Sequence, residues 1–331
     1  PTAGGPHAIT IKGSSIVTIN DVLIGEVWVC SGQSNMQIPL SGGLDGNFIE
    51  GGLDAIVNSK NDRIRFFTVK QNTSLKPLDN VKGRWEKAAP STSGSFSAVG
   101  YFFAQQLEMV LDVPIGIVVT AWGSSTAEAW SDDKTLHDLG IIIPNEIAEM
   151  PQKTPTVLYN AMMHPLIGYG IKGVLWYQGE ANVTNYYDYK ELLTGLIEDW
   201  RDKWKEKLPF YFVQIAPYIY TSNELSQELR EAQRKTLDVE KTGMAVTLDI
   251  GEKDDIHPAN KQDVGLRLAK LALANNYNKL EVVASGPLYK SKKSYDSYID
   301  LYFDYVGSGL ISKGLLDGFE IAGSDSFYYP A

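Results

Sequence analysis

Apolar and polar positions alternate from residue 7 to 22, HAITIKGSSIVTIND, around a Gly-Ser-Ser turn, and this period of two predicts a β-hairpin. The period then changes. Continuous apolar runs at 27–30 (VWVC), 114–122 (PIGIVVTAW), 172–178 (KGVLWYQ), 209–216 (PFYFVQIA) and 244–250 (MAVTLDI) read as buried strands. Segments 95–111, 186–204, 224–239 and 261–276 place their apolar residues at helical spacing, and a further helix is expected around 156–167. Strands alternating with helices of this length need crossover connections, which predicts a mostly parallel sheet. Past about residue 280 short alternating segments return, at 298–306 and 319–323. The chain is accordingly divided into a β segment at 1–22, an α/β domain at 23–280 and a second β segment at 281–331.

In an open parallel sheet, ligands bind beyond the carboxyl ends of the strands, where loops converge and helices begin. Four predicted strands empty there into chemically rich segments: VWVC into SGQSNM, TAW into GSST, LWYQ into GEAN and LDI into GEKDDIHP. The segments at the other end, such as LDVP and EKLP, are bland. Ser34 is thus carried to the functional rim by a central strand.

Of the four histidines, His164 lies in the apolar helical context NAMMHPL and reads as structural, whereas His257 follows a strand end. Pro258 biases His257 towards extended backbone, so its imidazole should project from a loop. Asp254 and Asp255 stand three and two residues before it. A carboxylate so placed can hold one ring nitrogen while the other takes a hydroxyl proton, the arrangement of nucleophile, base and orienter in a serine hydrolase. A helix-capping role for DDIHPAN accounts for the same residues. Donors for an oxyanion are available from the N–H groups of Ser34 and Gly123 and the amide of Asn182. GQSNM fails the G-x-S-x-G pattern of the nucleophile elbow. No pair of His or Cys has ligand spacing, so metal is not indicated.

Hydrophobic residues make up 44% and charged residues 21% of the 331 residues, a globular balance. A net charge of −10 argues against nucleic acid as a partner. No apolar run is long enough to span a bilayer, so no membrane partner is expected. The single cysteine, Cys30, excludes an internal disulfide. The chain begins with Pro1, which suggests a processed product, and a secreted or periplasmic location is the expectation. Seven Trp and eighteen Tyr suit a carbohydrate surface, although aromatics belong more often to the core.

The blocks GEVWVCSGQSNM, WGSSTAEAW, LWYQGEAN and DIHPANKQDVGLRLAKLAL resemble, in order, the four signatures of the sialate O-acetylesterase family in the SGNH hydrolase superfamily. The likeness runs from about Gly4 to the end of the chain. It implies a flavodoxin-like three-layer α/β/α sandwich with a central parallel sheet, and hydrolysis of acetyl esters on a sugar or glycan without a cofactor. Ser34 would be the nucleophile, His257 the base and Asp254 its partner, with Ser34, Gly123 and Asn182 forming the oxyanion hole. Related acetylxylan esterases use the glutamate of a similar Q-G-E segment as the acid, so Glu180 competes with Asp254. Gln33 and Gln178 are candidates for substrate binding. Many relatives have Gly-Gly where this chain has Gly123-Ser124, and the superfamily block G-x-N-D is one residue shorter than the spacing from Gly179 to Asn182. Family members also begin and end with β segments that pack together, so 1–22 and 281–331 are expected to pack and the full protein to be longer. O-acetyl sialic acid is the first expected substrate, acetylated xylan or another polysaccharide the alternative. A non-catalytic carbohydrate-binding protein is the rival of another class; it has no need for Ser34, Asp254 and His257 together.

Overall fold

The computed structural model describes residues 2–43, 48–220, 225–312 and 314–331. The chain divides into two units, Pro1–Val282 and Val283–Ala331. The first opens with an antiparallel hairpin of β1 (Gly4–Lys12) and β2 (Ile16–Ile24). The strands that follow are β3 (Glu26–Gly32), β4 (Asn61–Thr68), β5 (Trp85–Ala88), β6 (Ile115–Ala121), β7 (Gly173–Tyr177), β8 (Phe210–Val213) and β9 (Thr242–Ala245). These seven form one sheet in the order β5-β4-β6-β3-β7-β8-β9. All neighbours are parallel except β5, which runs antiparallel to β4 at one edge. Between the strands lie α1 (Ser34–Gln37), α2 (Gly52–Val57), α3 (Ala98–Leu111), α4 (Asp133–Asp138), α5 (Tyr189–Trp204), α6 (Ser226–Lys235) and α7 (Lys261–Asn276). The second unit holds two antiparallel pairs, β10 (Leu288–Ser294) with β11 (Ile299–Asp304) and β12 (Glu320–Ala322) with β13 (Tyr328–Pro330). No helix of the described residues is long and apolar enough to cross a membrane.

Side chains of a strand point alternately to the two faces of its sheet, and both faces here are apolar. Val29, Val118, Val174, Trp176, Phe210 and Phe212 join one cluster with Leu192, Leu193, Leu196, Ile197 and Trp200 of α5. The intervening residues face α3 and α7: Trp28 meets Phe103 edge-on at 5.2 Å and stacks on Tyr211 at 6.0 Å. Helices therefore cover both faces, giving the three layers that the family resemblance implies. Each fully buried large side chain contributes about 1.5–3 kcal/mol.

Several predicted boundaries move for local reasons. The helix expected at 156–167 is one π-helical turn, Tyr159–Met163, followed by a 3₁₀ turn, His164–Leu166. Pro165 has no N–H with which to continue an α-helical ladder. The strand expected at 244–250 ends at Ala245, because Val246 O is taken by the Arg267 guanidinium and Thr247 turns its hydroxyl onto Gln214 O. Helix α6 begins at Ser226; Glu224, the first residue of the expected helix, lies outside the described residues. Helix α7 spans 261–276 as expected.

The sheet's close approach at the end of β3 depends on one glycine. Gly32 has φ +134°, and a Cβ there would stand 2.1 Å from the carbonyl oxygen of Tyr177. Gly32→Ala is expected to cost more than about 3 kcal/mol, because backbone must move on two strands at once. Urea unfolding of the variant measures this, and a loss under about 1 kcal/mol would mean that the strand ends can part freely.

Candidate active site

Strand β3 stands where the chain changes direction: from it the chain passes to β4 and the edge strand β5 on one side, returns to β6 beside it, then continues outward through β7, β8 and β9 on the other. Such a switch point opens a crevice beyond the strand ends. Pairing persists to the last residue of β3, with Gly32 opposite both Ala121 and Tyr177. Immediately beyond, Trp122 N–H donates to Gly32 O at 3.0 Å and Gln33 N–H to Tyr177 O at 2.9 Å. The chain then turns into α1, whose first residue is Ser34. Met36 is fully buried below it, and Ser97 at the start of α3 donates its hydroxyl to Met36 O at 2.6 Å. The serine is half-buried on a base fixed from three sides.

The loop after β9 carries His257 to this point. Its Nε2 lies 2.9 Å from Ser34 Oγ, across 223 residues of sequence. The loop braces itself: His257 N–H donates to Asp255 Oδ1 at 2.7 Å, and Ala259 N–H to Glu252 Oε1 at 3.0 Å. Asn260 closes it as a cap on α7, accepting from Asp263 N–H at 3.0 Å while its amide donates to the Asp263 carboxylate at 2.9 Å. Asp254 is exposed in the same turn.

Glu180 occupies a different place. It is 8% exposed, and its Oε1 accepts from Asn35 Nδ2 at 2.6 Å. Oε2 is buried without a hydrogen-bond partner among the described residues. Burial raises its pKa above the usual carboxylate range, against the lowering effect of its own backbone N–H, Asn35 and Lys261. Glu180 thus meets the residue after Ser34.

Gly123 arrives beside Ser34, with its Cβ position 3.6 Å from Ser34 Cβ. Its N–H donates to Gln37 Oε1 at 2.6 Å, so the exposed Gln37 side chain engages the donor that the sequence assigns to the oxyanion. Ser124 has φ +59°, a left-handed conformation that glycine adopts without strain.

The amides are placed otherwise than the sequence suggests. Asn182 is 1% exposed; its Nδ2 faces both Glu128 carboxylate oxygens at 3.1 and 2.9 Å, and its Oδ1 accepts from Ala127 N–H and Gln178 Nε2. Gln33 and Gln178, candidates for substrate binding, are 3% and 0% exposed. Gln33 Oε1 accepts from the N–H groups of Gly179 and Ala181. Gln178 donates to Ser125 O and accepts from Tyr189. The side-chain polar atoms of Gln178 and Asn182 are all taken by neighbouring groups, so these residues fix the adjoining loops, whereas Gln33 commits only its Oε1 in this way. Ser34, His257 and Gly123 come together, while Asn182, Gln33 and Gln178 lie beneath them.

Sequence reasoning missed Asn35, Glu128, Gln233 and Lys261. Gln233 is fully buried and ties Gln178 O, Val213 O and Ile215 N–H. Lys261 left a legible signal: it stands at i relative to Val264, Gly265 and Leu268, on the buried stripe of α7, where a lysine is out of place.

A family model described as carbohydrate esterase, sialic acid-specific acetylesterase, matches residues 24–274. The sialate O-acetylesterase of Homo sapiens is 31% identical over 323 residues, covering 86% of this chain and 61% of that protein. That of Mus musculus is 31% identical over 352 residues, covering 87% and 64%. The chain therefore spans less than two thirds of these relatives. A solved carbohydrate acetylesterase from Xanthomonas citri is 38% identical with a TM-score of 0.88, covering 99% of this chain and 74% of that one. A protein of Arabidopsis thaliana, 22% identical with a TM-score of 0.51 over 76% of this chain and 98% of its own, shares the fold.

The position of Asn182 can be tested through stability. Asn182→Asp sets a second carboxylate against Glu128, raising the folded-state pKa of the pair above its unfolded value. The penalty is present above that folded value and is relieved as pH falls through it, since one shared proton removes the repulsion. Urea unfolding is expected to show a loss of about 2–4 kcal/mol at pH 8 and a smaller one at pH 5. An equal loss at both pH values would place Asn182 away from Glu128.

Proposed function

The chain belongs to the sialic acid-specific acetylesterase family of carbohydrate esterases, and on that premise we propose that it hydrolyses acetyl esters on sugars with Ser34 as nucleophile and His257 as general base. The observation that carries this reading is the 2.9 Å contact between Ser34 Oγ and His257 Nε2. That distance is within reach of proton transfer.

In the first step Ser34 Oγ attacks the acetyl carbonyl carbon while its proton passes to His257 Nε2. The oxyanion that forms is met by the N–H groups of Ser34 and Gly123. N–H groups in the first turn of a helix have no intrahelical partner, which suits Ser34 at the start of α1. For Gly123 to donate, Gln37 Oε1 must give up its 2.6 Å bond, a simple exchange for an exposed side chain. His257 then returns the proton to the departing sugar oxygen, leaving acetyl-Ser34. A water deprotonated by His257 attacks this ester, acetate leaves, and Ser34 recovers its proton. Asp254 is our choice as the orienting acid: it shares the turn of His257, whereas the Glu180 carboxylate is engaged by Asn35.

The names of the curated relatives favour an O-acetylated sialic acid as substrate. A second reading, acetylated xylan or another polysaccharide, is compatible with the 38% identity to the Xanthomonas citri protein, a carbohydrate acetylesterase. A net charge of −10 gives no long-range attraction for a carboxylated sugar.

Ser34→Ala is expected to lower kcat for an aryl acetate by about 10⁴-fold or more with the fold retained, and to abolish labelling by a fluorophosphonate. Turnover near that of the parent would remove Ser34 as nucleophile. Asp254→Asn is expected to cost about 10³-fold in kcat and Glu180→Gln about tenfold; the reverse order would exchange their roles. Acetate release compared on O-acetylated sialic acid and acetylated xylan separates the two substrates.

A further inference from the structure

Beneath the reactive pair lies a buried lysine for which ester hydrolysis has no direct use. Lys261, the first residue of α7, is 1% exposed. Its Nζ donates to Asn35 Oδ1 at 2.6 Å and to Pro258 O at 2.8 Å. Asn35 in turn donates to Ile256 O at 2.9 Å and to Glu180 Oε1 at 2.6 Å. Ile256 and Pro258 are the two neighbours of His257 in the chain, and Asn35 is bonded to Ser34. The peptide carbonyls on both sides of the base are thereby held by two side chains, one of them attached to the nucleophile.

We propose that Lys261 is a positioning residue: through Asn35, and with Glu180 as its counter-charge, it clamps the His257 loop and sets the distance between imidazole and Ser34. The inference rests on the Ser34–His257 reading above.

A lysine is a poor choice for this position on any other ground. Burial in α7 opposes its charge and depresses its pKa to about 8, with Glu180 the foremost opposing influence. The helix N-terminus repels a cation as well. An apolar side chain would fill the same stripe without either cost, but it could donate to neither Asn35 nor Pro258 O. The charge is compensated by the Asn35 bridge to Glu180, the Pro258 carbonyl, the carboxylates of Asp255 and Glu252, and the ring of Tyr177, whose centroid is 5.9 Å from Nζ. Each of them lies on the rim under Ser34 or in the His257 loop. A side chain serving stability alone would have no reason to direct both of these hydrogen bonds there.

The experiment is Lys261→Met assayed with an aryl acetate beside Ser34→Ala and His257→Ala. The inference expects kcat to fall about 10²-fold, the cost of displacing a reacting group by about 1 Å, with KM changed less than about threefold. Labelling of Ser34 by a fluorophosphonate should slow by a like factor while circular dichroism stays that of the parent. Should Lys261→Met not fold, the double variant Lys261→Met with Glu180→Gln, which buries no unpaired charge, carries the same expectation. Parental kcat and labelling rate, a change confined to KM, or failure of both variants to fold would each overturn the positioning role. Activity retained by Ser34→Ala or His257→Ala would instead overturn the catalytic reading, so the two failures are distinct.

Discussion

A single hydrogen bond, from Ser34 to His257, sets the terms for the rest of the molecule. Its two ends belong to opposite reaches of the unit: Ser34 follows the central strand β3, and His257 comes from the loop beyond the edge strand β9. Two groups held only by their own loops would meet in this geometry a small fraction of the time. The structure meets that requirement by parallel pairing that continues to the last residue of β3, and by a loop that satisfies its own backbone before α7 begins. Positioning of this kind is what converts an encounter between groups into an effectively intramolecular reaction.

The layer under the rim is polar where a core would ordinarily be apolar. Gln33, Gln178, Asn182 and Gln233 bury their amides and spend them on the backbone of adjoining loops. Apolar packing is nondirectional and would hold these loops near one another without fixing their register. Amides impose direction, since each buried donor or acceptor left unpaired costs about 1–3 kcal/mol. The loops can therefore slide only at a cost spread over several bonds. Glu180 is the exception, with one carboxylate oxygen lacking a partner among the described residues. The nearby ammonium of Lys261 opposes the cost of burying this carboxylate, but burial prevails and its pKa stays raised.

What could be read from the sequence divides along the same line. The doubly covered sheet was legible because VWVC, PIGIVVTAW and KGVLWYQ are apolar on consecutive residues, and α7 because its stripe is regular. Ser34 and His257 were legible because both follow strand ends in segments of unusual chemistry. Strand β4, NDRIRFFT, was not: alternate charges mask it, and Arg63 and Arg65 are accommodated by Glu108, Asp112 and Asp21, all distant in sequence. The surroundings of the amides were not legible for a related reason. Gln33, Gln178 and Asn182 look like ligand-binding residues in a loop, and only tertiary packing reveals that their partners are other loops. Glu128 and Asn35, which complete that packing, carry no local signal of it.

The last long helix of the unit contributes Lys261, and the loop before it contributes His257, so the contact between Ser34 and His257 draws on elements spread over residues 34 to 261. Contacts of such sequence separation form late, once shorter-range structure has reduced the entropy of closing so large a loop. The Ser34–His257 contact in this architecture is a certificate of completed assembly: a nascent or partly unravelled chain keeps the alcohol and the imidazole apart, and the two meet only with the finished sheet.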